Sequence, residues 1–290
     1  MPKSASEMLP GAVLAGALWW YAAAVLEPAR TLKRLGVAVT GPPEGEPPRR
    51  LRRRGLGPHF SRLWPQPVLL KGHTSHDELV AEFDRIAEVY DIIVHPFSAP
   101  IVEEAVKVIR PYLPPDARVL DAGCGAGREA QRFAQLVPDG EVVGVDLAAG
   151  MVLAAHRSAR AHGLDNTAFV QADVGDLPKS FSSRFDLAYS FLAHHHYPEP
   201  GPTTAEILRC LRPGGVYCVV DPGPEWYNHI SAPLARWADP GWIGFHTPTQ
   251  FQRLFMGAGF ASAQWIEVLP GFGVAIGQKR VANRHAKQRS

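Results

Sequence analysis

The sequence predicts an α/β domain, a mostly parallel sheet of seven strands with helices on both faces and an antiparallel strand near its end. Three observations predict it. Between residues 118 and 220, short apolar runs alternate with stretches of helical periodicity, the order that lays strands parallel and returns the chain through helices. The first apolar run, Val119 and Leu120, leads into RVLDAGCGAG at Arg118 to Gly127. There Gly123, Gly125 and Gly127 allow a sharp turn and a closer backbone approach to a ligand than any Cβ permits. Finally, three consecutive strand ends carry an acid, Asp121, Asp146 and Asp173, and ligands of open α/β sheets lie at the carboxyl ends of the strands.

The elements follow in order. Ser75 and Glu78 make a capping-box pair ahead of Leu79, Val80, Phe83, Ile86, Ala87 and Tyr90 at helical spacing. A second helix is expected from Ser98 to Ile109. After the glycine turn come helix Arg128 to Val137, strand Val142 to Asp146, helix Ala149 to His162 and strand Ala168 to Gln171. Strand Phe185 to Ser190, helix Thr203 to Leu211 and strand Val216 to Val220 continue the alternation. The region Asp221 to Thr247 supports two readings: an acceptor wall built from Trp226, Tyr227, Trp237, Trp242 and Phe245, or a helix that buries those aromatics in the sheet. A helix at Thr249 to Ala258 precedes strands Ser262 to Leu269 and Phe272 to Ile276. The turn between these strands, Pro270 and Gly271, is short enough for a hairpin.

The glycine loop departs from the dinucleotide fingerprint. Its spacing is G-x-G-x-G instead of G-x-G-x-x-G, and Asp121 precedes it, which suits a cationic ligand better than a phosphate. Asp146, nineteen positions after Gly127, ends the second strand. A carboxylate there can accept both hydroxyls of a ribose, at roughly 1.5 to 3 kcal/mol per charge-assisted bond.

Together with FDLAYS at Phe185 to Ser190 and LRPGGVY at Leu211 to Tyr217, these motifs resemble the class I S-adenosylmethionine-dependent methyltransferases, over about residues 75 to 280. The resemblance implies a Rossmann-like fold, S-adenosyl-L-methionine as cofactor, and methyl transfer as the reaction. It places Asp121, Gly123 and Gly125 under the methionine part of the cofactor, Asp146 on the ribose diol, Asp173 on the adenine amine, and Met151 against adenine. Leu147, Val174 and Ser190 complete the candidate cofactor set. AEFDRIAEVYD, Ala81 to Asp91, resembles the opening segment of the quinone-biosynthesis type, in which the tyrosine region closes over the cofactor, so Tyr90 is a candidate lid residue.

After strand Phe185 to Ser190 the chain reads SFLAHHHYPEP. His195 to Pro200 resembles a pattern of small-molecule methyltransferases, with Tyr197 in place of a leucine. His195, His196 and Tyr197 are the candidate catalytic residues: a histidine here either serves as general base or is hydrogen-bonded beneath the cofactor. Adjacent side chains on an extended segment point in alternating directions, so the three histidines are not expected to share a metal ion. The implied acceptor is a small, hydrophobic or aromatic, quinone-like molecule methylated at O or C. No specific nucleic-acid partner is expected, since the Asn/Asp-Pro-Pro-aromatic motif used on exocyclic amines is lacking. A non-catalytic cofactor-binding scaffold and an NAD-binding oxidoreductase are the competing readings.

Residues 1–74 read as a separate region. They hold eleven Lys or Arg against four Asp or Glu, a balance of +7 in a chain of net +2, which leaves −5 for the rest. Gly11 to Leu26 is an uncharged apolar run of sixteen residues, slightly short of the roughly 20 needed to span a bilayer. Its basic residues follow it, and Trp19, Trp20 and Tyr21 sit mid-run, which favours an interfacial or packed helix over a span. Residues 8–54 are therefore a candidate membrane-surface contact. The Pro-, Gly- and Arg-rich stretch 41–67 reads as a linker and residues 281–290 as a basic tail. Cys124, Cys210 and Cys218 show neither metal-ligand spacing nor a disulfide framework, so a cytoplasmic setting is expected.

Overall fold

The computed structural model describes residues 80–281, other than 82, 85, 86, 88, 89, 239 and 240. The N-terminal apolar run, the basic linker, the capping box at Ser75 and the residues of the tail beyond 281 lie outside the described residues, as do the side chains of Tyr90 and Trp237. Among the described residues no helix is long and apolar enough to cross a membrane.

The sheet has seven strands: β1 (Arg118–Ala122), β2 (Glu141–Asp146), β3 (Thr167–Gln171), β4 (Phe185–Phe191), β5 (Leu211–Pro222), β6 (Ser262–Leu269) and β7 (Phe272–Gln278). Their order is β3-β2-β1-β4-β5-β7-β6. All neighbours are parallel except at β7, which runs antiparallel to both β5 and β6. The expected hairpin thus forms, and its second strand slots inside its first. The chain leaves β1 toward β2 on one side and β4 lies on the other, so a crevice opens above the ends of β1 and β4, the topological switch point.

The helices are α1 (Tyr90–Ile109), α2 (Arg128–Leu136), α3 (Ala149–Ala161), α4 (Pro200–Cys210), α5 (Glu225–Ala238) and α6 (Pro248–Ala258). Strand alternation sends side chains to both faces. Leu120, Ala188, Tyr217 and Val219 point to the side covered by Ile207 of α4 and Phe251 and Phe255 of α6, all buried in one cluster. On the other side, Tyr189 stacks on Phe133 of α2, ring centroids 4.1 Å apart. The start of α6 follows from its sequence: Thr247 accepts from the Gln250 N–H while the Gln250 side chain accepts from the Thr247 N–H, a full capping box, and Gly259 ends the helix at φ +103°.

One element differs from expectation, and in another the helix reading is met. Helix α1 begins at Tyr90 and not at Ser98, running through Pro96 and Pro100. A proline inside a helix forfeits one backbone hydrogen bond, which is why periodicity alone places the start too late. Region 221–247 contains α5, which buries Tyr227 against Phe272 and against Gly271, where a Cβ would lie 2.3 Å from the tyrosine ring.

Candidate functional site

The glycine loop is held by hydrogen bonds to β2. The N–H groups of Gly123 and Cys124 donate to the Val145 carbonyl at 2.8 and 2.9 Å. Gly125 N–H donates to Asp146 Oδ2 and Ala148 N–H to Asp146 Oδ1, both at 2.9 Å. Asp146 therefore ties the loop after β1 to the start of α3. Glycine is required at two places. Gly123 has φ +80° with Ala193 Cβ 2.8 Å from where its Cβ would be, and Gly127 has φ +82° with Ala155 Cβ at 2.7 Å. Burial raises the Asp146 carboxyl above its ordinary range, against the pull of the Ala148 and Gly125 N–H groups.

A cavity lies over this loop. Its floor and one side are formed by Gly123, Gly125, Asp146, Leu147 and Met151, with Asp173 and Val174 from the end of β3. Asp173 Oδ1 accepts from Gly175 N–H at 2.7 Å, which fixes the carboxylate at the rim. Met151 is buried with Ala87, Ala126 and Ala148. Val80, Phe83, Val94 and Val102 add apolar lining, beside the polar His95, Ser98, Arg128 and Glu129. His196 and Tyr197 also line the cavity.

Two candidate residues, Asp121 and Ser190, stand behind this surface, and Tyr197 reaches back to Ser190 from the lining. Asp121 is 2% exposed and accepts from the Tyr189 hydroxyl at 3.0 Å. Burial, reinforced by Glu129, pushes its carboxyl well above the usual range, and the carboxyl expected beside the loop does not line the cavity. Ser190 is fully buried, its Oγ 3.1 Å from the Tyr197 hydroxyl. The Tyr197 hydroxyl donates to the Ala122 carbonyl at 2.8 Å, pinning the turn after β4 to the end of β1; burial pushes the phenol up. Its proton is thus held by the backbone, and Tyr197 braces the site.

The three histidines occupy one turn of 3-10 helix, His194–His196, and not the extended segment expected from the sequence. His195 Nδ1 lies 2.7 Å from Asp221 Oδ1, both side chains buried. Asp221 comes from the end of β5, so this pair spans two strand ends. The His196 ring is 4.2 Å from that of His195 and meets Phe83 edge-on at 5.4 Å. Ile243 N–H donates to the His195 carbonyl at 2.9 Å, anchoring the segment after α5 to the same turn.

His194 is 1% exposed among Tyr197, His246 and Phe251, and neither ring nitrogen meets a hydrogen-bonding partner among the described residues. Burial, then His246 and His195, holds its imidazole well below the ordinary value. A histidine of lowered pKa contributes stability that is complete above the unfolded value of about 6.5 and is lost as pH falls below it. The melting temperature is therefore expected to drop between about pH 7.5 and 5 by less in His194→Phe than in the parent chain. Asp121 and His246 titrate in both proteins, so the difference isolates His194, and equal slopes would contradict it.

Of the two readings of 221–247, the acceptor wall is not met by the described aromatics, none of which lines the cavity. Trp226 is 49% exposed, Tyr227 belongs to the core, and Trp242 packs on Phe245, which itself meets His195. Apolar lining comes from α1 and from Val80 and Phe83 ahead of it. Val94, Ser98 and Val102 recur every four residues, a stripe that was legible once the helix was allowed to begin before Pro96. Asp221 and Asp84 were missed because their partners lie 26 and 66 residues away.

Comparisons with known proteins agree with this geometry. Residues 113–245 match a family model described as a methyltransferase domain. The chain is 38% identical over 123 residues to the trans-aconitate 2-methyltransferase of Deinococcus radiodurans, covering 42% of each. It is 26% identical over 229 residues to the demethylmenaquinone methyltransferase of Symbiobacterium thermophilum, covering 68% of this chain and 91% of that protein. A crystal structure of a SAM-dependent methyltransferase from Aquifex aeolicus superposes with a TM-score of 0.52 at 19% identity, over 63% of this chain and 93% of that one. Against the first of these relatives and two further curated ones the chain spans about half of their length, 42%, 52% and 54%.

Proposed function

We propose that this chain, which carries a domain of the class I S-adenosylmethionine-dependent methyltransferase family, transfers a methyl group to an oxygen or carbon of a small, largely apolar acceptor. The observation that carries the reading is one cavity lined by the glycine loop, Asp146, Asp173 and Met151 together with Val80, Phe83, Val94, Val102 and His196.

The residues present fit the cofactor. Asp146 has carboxylate lone pairs beyond the two held by Gly125 and Ala148, and these receive the ribose hydroxyls. Asp173 receives the adenine amine, and Leu147, Met151 and Val174 pack on the base. Gly123 and Gly125 admit the methionine part at the loop. When bound, S-adenosylmethionine supplies an electrophilic sulfonium methyl. The protein's part is alignment, exclusion of water by Val80, Phe83, Val94 and Val102, and removal of a proton.

His196 is the base in this reading, because it lines the cavity that holds the candidate cofactor residues. With an acceptor hydroxyl beside it, the imidazole would take the hydroxyl proton as the bound cofactor supplies its methyl group. His195 and Asp221 are positioning residues behind it: the 2.7 Å bond fixes the His195 ring, and that ring fixes His196.

A quinone-like acceptor is supported by the apolar lining and by the names of two distant relatives, the demethylmenaquinone methyltransferase and a ubiquinone/menaquinone C-methyltransferase of Bdellovibrio bacteriovorus. The test is incubation of the full chain with isotopically labelled cofactor and a panel of hydroquinones, phenols and carboxylic acids. Mass spectrometry is expected to find label on an apolar hydroxylated member. Cofactor binding with no transfer across the panel would favour a non-catalytic scaffold.

A further inference from the structure

We propose that Asp84 is a positioning residue which clasps one wall of the cavity to the start of α3 and thereby sets how long the cofactor stays bound; the inference rests on the methyltransferase reading. Helix α3 begins after Ala148, which has no side-chain oxygen and leaves the first N–H groups of the helix uncapped. Asp84, 66 residues earlier, supplies the missing cap: its Oδ1 accepts from Gly150 N–H at 2.6 Å. A carboxylate at the N-terminal end of a helix is favoured by the helix dipole as well as by the bond.

Residue 150 is matched to this contact. A Cβ on Gly150 would lie 2.9 Å from Asp84 Oδ1, 3.1 Å from its Cα and 3.3 Å from its carbonyl oxygen, two of them backbone atoms that cannot swing away. Only glycine lets the two segments approach so closely. The residue beside Asp84, Phe83, reaches the other rim and meets His196 edge-on. One dipeptide thus joins α3, which follows β2, to the turn that follows β4. Phe83 and His196 line the same cavity as Asp146 and Met151. Loosening the Gly150 end opens the wall beside the start of α3, while the Gly125 and Ala148 N–H groups still hold Asp146.

The full chain and the variants Asp84→Ala, Asp84→Asn and Gly150→Ala are compared by stopped-flow release of S-adenosylhomocysteine, with melting temperatures recorded beside them. Release is expected to quicken about tenfold in Asp84→Ala and in Gly150→Ala. Asp84→Asn, whose amide oxygen still accepts, is expected to stay near the parent rate. Gly150→Ala separates clasping from mere helix support. Alanine is the better helix former, so a purely structural contact predicts an unchanged or higher melting temperature with unchanged release. Unchanged release in both Asp84→Ala and Gly150→Ala overturns the clasp alone. Failure of the unmodified chain to bind S-adenosylhomocysteine overturns the methyltransferase reading, and the clasp with it.

Discussion

Replacing Asp146 with alanine is expected to weaken S-adenosylhomocysteine binding at least about a hundredfold, ~3 kcal/mol, measured by titration calorimetry. The expectation exceeds the loss of two ribose hydrogen bonds because the carboxylate also holds the site together. Gly125 N–H and Ala148 N–H both donate to it. Alanine leaves two enclosed donors without an acceptor, each costing about 1 to 3 kcal/mol, and frees the loop that must lie under the methionine part. Asparagine is a sharper probe, since its amide nitrogen must face one of those donors and cannot serve both. Its affinity is expected to fall nearly as far as that of alanine. Burial raises this carboxyl, so a proton displaces the ribose hydroxyls at a higher pH than it would at an exposed aspartate. Affinity of the parent chain is therefore expected to decline on acidification. Unchanged binding by Asp146→Ala would remove the ribose assignment and leave the loop brace as the residue's whole role.

How far the sequence shows this site depends on the range of each interaction. The loop is legible because its constraints are local: φ values of +80° and +82° at Gly123 and Gly127 leave room for little but glycine, and strand ends at Asp146 and Asp173 follow from the alternation. The seven strands were placed for the same reason, each being a short apolar run bounded by turn residues. What escaped is tertiary. Nothing near Asp221 indicates that it will meet His195, and nothing near Asp84 indicates Gly150. Asp121 stands beside the glycines in sequence, yet the strand's alternation turns its side chain beneath the sheet end to Tyr189. The aromatics of 221–247 left two readings open for a related reason: their spacing fits a helix that buries one face as well as a pocket wall, and it takes Gly271 and Phe272, more than forty residues on, to send Tyr227 to the core.

His196→Ala is expected to lower kcat by about a hundredfold or more while the KM for the cofactor changes by less than about threefold, for an acceptor methylated on oxygen. The imidazole shares the cavity with Asp146 and Asp173 but is not among the residues proposed to hold the cofactor. Its neighbours include two rings, His195 at 4.2 Å and Phe83 at 5.4 Å, so packing is the competing account of its presence. Two further measurements separate base from packing. His196→Phe restores an aromatic ring against Phe83, so a packing role predicts recovered activity and a base predicts none. Added imidazole should restore part of the rate to His196→Ala and leave His196→Phe unaffected, because only the smaller side chain leaves room for it. Asp221→Asn should act more weakly, about tenfold on kcat. It removes the charge that orients His195 at 2.7 Å but leaves His196 in the cavity. If Asp221→Asn instead cost as much as His196→Ala, and imidazole rescued neither, the proton would be leaving through His195 directly and His196 would be the support.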